Sequence, residues 1–397
     1  MIPARRLALQ LLGWVVLWRA ALLIVAFVAP FILPFKPSFP LTELLQDLAI
    51  PHWLSAWANF DGVYYLTLIS RGYLAVGYVQ AFFPIWPLIL MPIWWVGSDL
   101  TWVVLVGQLV ALGCFAGALL LYRHLLTHTE KITSQPFTWL VVLLLLFPTS
   151  FYFAALYSES LFLLLVLGVF ICAFHKKWWW AGILAGVASG TRVVGIFLVP
   201  ALVIELVSQS QLWQSRNLSL TSLLAWTRAH VGQLSAISLG VVGLLGYSIF
   251  LWWHFADPLY FFRVQSEFGG GRQESLVLFP QVVWRYLKIL TTVPLDLRYL
   301  IYLQEFLAGV GGLVILLLGF RKVRLSLWFF SLMAVLLPTL TGTFSSMPRY
   351  ILVAPAIFLI INAWLADHPK LRIVWLIIST LLLLCNTVLF IQGYWVA

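Results

Sequence analysis

Acidic residues are scarce in this chain: only 13 of 397 residues are Asp or Glu, and charged residues of both signs make up 9%. Ordinary soluble domains carry roughly 25%. With 63% hydrophobic residues, the composition excludes a soluble globular or disordered protein and predicts an all-α polytopic membrane protein. Cysteine is nearly missing as well. Cys114, Cys172 and Cys385 lie in apolar runs with no metal-ligand or disulfide spacing. Gly-x-Ser-x-Gly, His-Glu-x-x-His and Cys-x-x-Cys do not occur, and there is no fixed-period repeat, low-complexity linker or soluble domain. The net charge of +10 would suit nucleic acid in a soluble protein. In a membrane protein it marks cytoplasmic loops, so no nucleic-acid partner is expected.

What is present is a series of apolar runs near 20 residues, the length a helix needs at ~1.5 Å per residue to cross ~30 Å of hydrocarbon. Candidate spans lie near residues 7–31, 102–122, 137–155, 160–175, 236–254, 300–319, 326–343, 351–366 and 373–393. The first exceeds the apolar region of a signal peptide and lacks an A-x-A site, so it reads as a retained anchor. Residues 83–97 are short and hold three prolines, which fits a juxtamembrane helix in the interface. Residues 178–207 are long for one crossing and carry Arg192 midway, which predicts a helical hairpin eased by Gly190 and Gly195.

With these choices thirteen basic residues and three acids fall on the cytoplasmic side, a net of +10, and the remaining charges cancel. The positive-inside rule guided this arrangement. It leaves residues 32–101 as a large first outer loop, joined outside by Tyr157–Ser160, residues 257–298 and Ser345–Tyr350. The chain then forms one membrane domain over residues 1–397.

Asp61, between Phe60 and Gly62 in NFDGVYYLTLISRGY (59–73), admits two readings. It can cap a short interfacial helix over 62–70, or it can do chemistry, and the two are compatible. Arg192, deep in an apolar run among the small residues of ASGTRVVG, either pairs with an acid such as Glu159 or clamps a phosphate. Glu159, in LYSESLF, opens a helix whose dipole favours an acid. Arg349, in SSMPRYILVAP, opens another on the same side, where a snorkelling role is equally open. The loop DPLYFFRVQSEFGGGRQE (257–274) holds Arg263, Arg272 and three glycines without the Lys-Ser/Thr of a P-loop, and reads as a mobile lid. His124 and His128 have no third ligand. Lys176 and Lys177 before three tryptophans make an interfacial anchor. The sequon at Asn217 falls on the cytoplasmic side. One carboxylate and several arginines beside apolar walls suit group transfer from a lipid-phosphate donor, with a base for the acceptor hydroxyl and cations for the departing phosphate.

Four segments, FDGVYYLTLISRGY (60–73), AFFPIWP (81–87), FPTSFYFAALYSESLF (147–162) and ASGTRVVG (188–195), with MPRYILVAP (347–355) as a weaker addition, resemble the PIG-V-like mannosyltransferases of the GT-C membrane glycosyltransferase superfamily. The resemblance implies a bundle of about 9–11 transmembrane helices with a helical first outer loop. It also implies an inverting hexosyltransferase that moves a sugar, usually mannose, from a polyprenyl-phosphate donor to an acceptor hydroxyl on a glycan, glycolipid or protein. The reaction would occur on the extracytoplasmic face of a prokaryotic cytoplasmic membrane, or of the endoplasmic reticulum in a eukaryote.

The family's catalytic Asp maps onto Asp61, as the base. Arg192, Arg349, Arg263, Glu159, Tyr64 and Tyr157 are the expected substrate-binding residues, and no metal or other cofactor is expected. The chain departs from the family at Phe60, where Trp is frequent, and over LAVGYVQ (74–80), which lacks the acids found there. A transporter or flippase of lipid-linked sugars is the alternative, and a noncatalytic membrane scaffold a third reading.

Overall fold

A computed structural model describes residues 4–127, 137–210, 213, 219–268, 272–273 and 275–396. His128, Glu130, Lys131, Arg216, Asn217, Gly269 to Gly271 and Glu274, to which the charge, sequon and lid readings refer, lie outside them. Every regular element among the described residues is helical, as the apolar runs require, because a backbone in hydrocarbon must satisfy its own hydrogen bonds.

Five helices are long and apolar enough to cross a membrane: Ala8–Ile32, Leu100–Leu126, Val231–Phe255, Leu297–Leu318 and Pro369–Ile391. Four expected spans are instead short or broken. The run 137–155 is helical only over Phe137–Leu145 and ends in a tight 3-10 turn, Ser150–Ala154. Pro148 accounts for the break, since it disfavours helical geometry at the residue before it. Residues 351–366 belong to a pair, Met347–Val353 and Pro355–Ala366, bent by 88° where Pro355 supplies no N–H. The helices Glu159–Phe174 and Leu325–Thr339 have 16 and 15 residues.

The helix Glu159–Phe174 is apolar on all sides and buried almost throughout, the pattern of a helix surrounded by others. It packs between Leu100–Thr127 and Trp178–Ser189. The expected hairpin is present. The chain rises as Trp178–Ser189, passes through Arg192 in extended geometry and a 3-10 turn, and returns as Leu198–Ser208. Gly195 lets the turn close: a Cβ there would lie 2.6 Å from the Ala188 carbonyl carbon. Further along, Gly182 and Gly243 let the neighbouring helix cross closely, each leaving no room for a methyl group against the facing backbone.

Both parts of the Asp61 reading, the interfacial helix and the cap, need correction. The helix at Asp61 runs over Asp61–Arg71, and Gly62 through Ile69 are all buried, so it is encased in protein rather than lying amphipathically in an interface. Asp61 is its first residue and not its cap. The capping position falls on Phe60, with no side-chain cap. Residues 85–97 form a helix of 13 residues, ~20 Å at 1.5 Å per residue. It packs on Asp61–Arg71 and Leu100–Thr127.

Candidate functional site

Segments far apart in sequence converge on one cavity of about 890 Å³. Its walls come from residues 38–40 and 60–83, the hairpin apex at Thr191–Val194, residues 261–267 with Arg272, the start of Leu297–Leu318, and residues 341–353. These include three of the four segments assigned by charge to one side, together with Ser158 from the fourth. The lining mixes aromatic and aliphatic side chains with five arginines (192, 272, 285, 298 and 349) and the acids Asp61, Glu267 and Glu305. An apolar pocket with a few converging charged groups is the usual form of a ligand site.

Asp61 reaches this cavity from a constrained corner. Phe60 has φ 55° and ψ −113°, a region that costs a bulky residue on the order of 1–3 kcal/mol and persists only where its surroundings enforce it. Here they do. Asn59 Nδ2 donates to the Phe390 and Ile391 carbonyls at 2.8 and 3.2 Å. The Tyr157 hydroxyl donates to the Asn59 carbonyl at 2.8 Å and accepts the Asp61 N–H at 3.1 Å. The Phe60 ring fits between Phe39, Phe390 and Trp395, with centroids 4.7, 5.7 and 5.6 Å away. Tyr157 is therefore a positioning residue behind the wall; it does not line the cavity.

A chain of ion pairs continues from Asp61. Its Oδ2 receives Arg349 Nη2 at 2.5 Å, and the same guanidinium donates through Nε to Glu159 Oε1. Arg192 Nη1 donates to that Glu159 oxygen at 2.5 Å. Glu159 is fully buried and Arg349 nearly so. Both arginines also sit over aromatic rings: Arg349 over Tyr157 at 4.9 Å and Arg192 over Tyr350 at 5.5 Å. The Arg349 turn is tied down in its own right, because Thr149 Oγ1 donates to the Pro348 carbonyl at 2.8 Å. The structural reading of Arg192 as the partner of Glu159 is thus realised, and the same arginine still lines the cavity. Arg349 Nη1 and Arg192 Nη2 keep no protein partner among the described residues, and neither does Asp61 Oδ1.

Of the other expected residues, Tyr64 lines the cavity. Its ring stacks on Phe82 at 5.0 Å. Burial first, then the Asp61 charge, push its phenol well above the usual tyrosine range, so the hydroxyl keeps its proton. Arg263 is not brought to the site: it is absent from the lining, two-thirds exposed, and paired with Asp257 at 3.0 Å.

The residues that sequence reading missed are Glu305, Tyr286, Arg285, Arg298 and Trp395, all on the cavity wall. Glu305 had a legible signal, an acid inside the apolar run 300–319; Trp395 had none. Among the described residues no three His, Cys, Asp or Glu side chains come together as a metal site. Comparison of the chain with family models, curated proteins and solved structures returns no match.

Proposed function

We propose that this membrane protein is an inverting glycosyltransferase of the PIG-V-like, GT-C kind, moving a mannosyl or related hexosyl group from a polyprenyl phosphate to an acceptor hydroxyl. The observation that carries the reading is the Asp61 carboxylate, presented from a strained corner into a largely apolar cavity with Arg349 and Arg192 beside it. In this reading Asp61 Oδ1 takes the proton of the acceptor hydroxyl. The acceptor oxygen then bonds to the anomeric carbon from the face opposite the phosphate. The bond from that carbon to the phosphate oxygen breaks, and polyprenyl phosphate leaves with the electron pair. The partner-free nitrogens of Arg349 and Arg192 face the growing negative charge, the task for which oriented cations are effective. Glu159 acts through them, by fixing both guanidinium groups.

A polyprenyl chain needs an apolar approach, which the membrane around the five long helices supplies. The reading places the cavity on the extracytoplasmic side, where the first loop, residues 32–101, would also lie, and expects no metal. The shorter apolar helices would complete the 9–11 crossings expected of the family by sitting within the protein interior.

The test is to incubate the purified protein with polyprenyl-phosphate-mannose and a panel of glycan, glycolipid and peptide acceptors, and to look for a mannosylated product by mass spectrometry. Absence of product with every acceptor, combined with transport of the intact lipid-linked sugar in vesicles, would move the assignment to a flippase. For the orientation, Leu74→Cys, at an exposed position, should react with an impermeant thiol reagent in intact cells. Labelling only after permeabilisation reverses the topology.

A further inference from the structure

Among the described residues three glutamates are buried, and they are not treated alike. Glu159 and Glu205 each pair with arginine. Glu305, in the first half of the long apolar helix Leu297–Leu318, is 1% exposed and forms no ion pair among the described residues. Its donors are neutral: the Tyr286 hydroxyl at 2.6 Å on Oε2 and the Ser346 N–H at 3.3 Å on Oε1. The Trp395 indole lies beside it and acts on the same carboxylate. The Arg272 guanidinium on the same cavity wall acts on it through its charge, but a buried acid whose direct donors are neutral is still costly. For locking the Ser346 turn a neutral amide would serve as well, so the acid calls for a further reason.

The surroundings supply one. Glu305, Tyr286, Thr343 and Trp395 all line the cavity that holds Asp61. The Tyr286 hydroxyl also lies 3.1 Å from Thr343 Oγ1. Trp395 is about one-third exposed and meets Phe60, the residue before Asp61, edge to face at 5.6 Å. The segment that carries it after the last helix is held by the segment after the first: Lys36 N–H donates to the Gln392 carbonyl and Ser38 N–H to the Gly393 carbonyl, both at 2.9 Å. A carboxylate has about four acceptor positions, and the Tyr286, Ser346 and Trp395 donors leave capacity for one more. An indole supplies a rigid apolar face. A pyranose ring presents the matching pair, a rim of hydroxyl donors around an apolar C–H face.

We infer that Glu305, Tyr286 and Trp395 form a carbohydrate subsite of the cavity, in which Glu305 accepts hydrogen bonds from the hydroxyls of a hexose ring and Trp395 packs against that ring's apolar face. The inference deepens the glycosyltransferase reading and rests on it; the hexose can belong to the lipid-linked donor or to the acceptor.

The experiment measures binding of three probes, polyprenyl-phosphate-mannose, sugar-free polyprenyl phosphate and methyl α-mannoside, to the purified full chain. The proteins are the wild type, Glu305→Gln, Trp395→Leu and Trp395→Phe, each first shown folded by thermal melting. For a donor sugar, Glu305→Gln and Trp395→Leu weaken polyprenyl-phosphate-mannose by about tenfold or more and leave polyprenyl phosphate unchanged, while Trp395→Phe recovers much of the loss. For an acceptor sugar, the same variants weaken methyl α-mannoside and spare both lipids. Equal weakening of the sugar-free lipid, or wild-type binding of every probe by the variants, overturns the subsite. If the wild type binds neither lipid, the polyprenyl-phosphate reading fails on its own. Methyl α-mannoside then decides the subsite: binding that Glu305→Gln and Trp395→Leu abolish sustains it, and no binding to the wild type removes it.

Discussion

Glu159 and Glu205 hold arginines near the two ends of the same hairpin, and the contrast between them separates an ion pair confined to the fold from one whose arginines line the cavity. Near the foot of the hairpin, Glu205 is saturated. Arg324 and Gln209 donate to Oε1, the latter at 2.8 Å, and Ser326 donates to Oε2 at 2.5 Å. Arg324 also lies over the Phe174 ring at 4.3 Å. None of these residues lines the cavity. At the apex, Glu159 Oε1 takes both Arg192 and Arg349 while Oε2 is buried without a partner. The arginines it fixes open onto the cavity beside Asp61. Around Glu205 both carboxylate oxygens are bonded within the fold and none of the partners meets the cavity, although Gln209 Oε1 is itself buried without a partner. What separates the two is where the arginines lie: those fixed by Glu159 line the cavity, and the one fixed by Glu205 does not.

The strongest way to break this contrast is Asp61→Asn. It should lower transfer by about 10²–10⁴-fold, the usual contribution of a general base, with a thermal midpoint close to wild type. Full turnover in that variant would show that the apex is structural too. Glu205→Gln should do the reverse. Weakening a buried, charge-assisted network costs about 1–3 kcal/mol, seen as a lower melting temperature, while transfer per folded molecule stays at the wild-type level.

Arg192 sharpens the comparison because it belongs to both categories. Arg192→Lys keeps the charge but loses the planar fork, so donor affinity should fall more than stability does. If Arg192→Leu melts early and Arg192→Lys binds donor normally, the residue is only the partner of Glu159. Chelation is a smaller effect again: activity should survive excess EDTA, since the arginines can supply the charge a divalent ion would bring. Restoration of a chelated enzyme by magnesium or manganese would recast Asp61 as a ligand. The smallest effect is expected at Arg263→Ala, an exposed position outside the cavity, where stability should move within about ±0.5 kcal/mol and donor affinity should not change.

Much of this arrangement was legible in the sequence. Helical class follows from apolar runs in a chain with 9% charged residues, because hydrocarbon admits few backbone solutions. The hairpin was legible from its length and from Arg192. Asp61, Arg192, Arg349 and Tyr64 could be singled out because charge or local pattern is rare enough in such a chain to be informative, and the structure brings all four to one cavity. Helix ends were less legible: hydropathy averaged across Pro148 and Pro355 merged helices that the missing N–H and the steric restriction before proline divide.

Composition and local pattern therefore determined that this is an all-helical membrane protein and which few ionisable residues are costly enough to need a reason. Only the tertiary structure decided how they are used. Arg263, Arg192 and Arg349 are alike as residues in a loop or apolar run, yet one faces outward toward Asp257 while the other two share Glu159. Trp395 reaches Phe60 across 335 residues of sequence. Such pairings depend on packing geometry between distant segments, and no local periodicity encodes them.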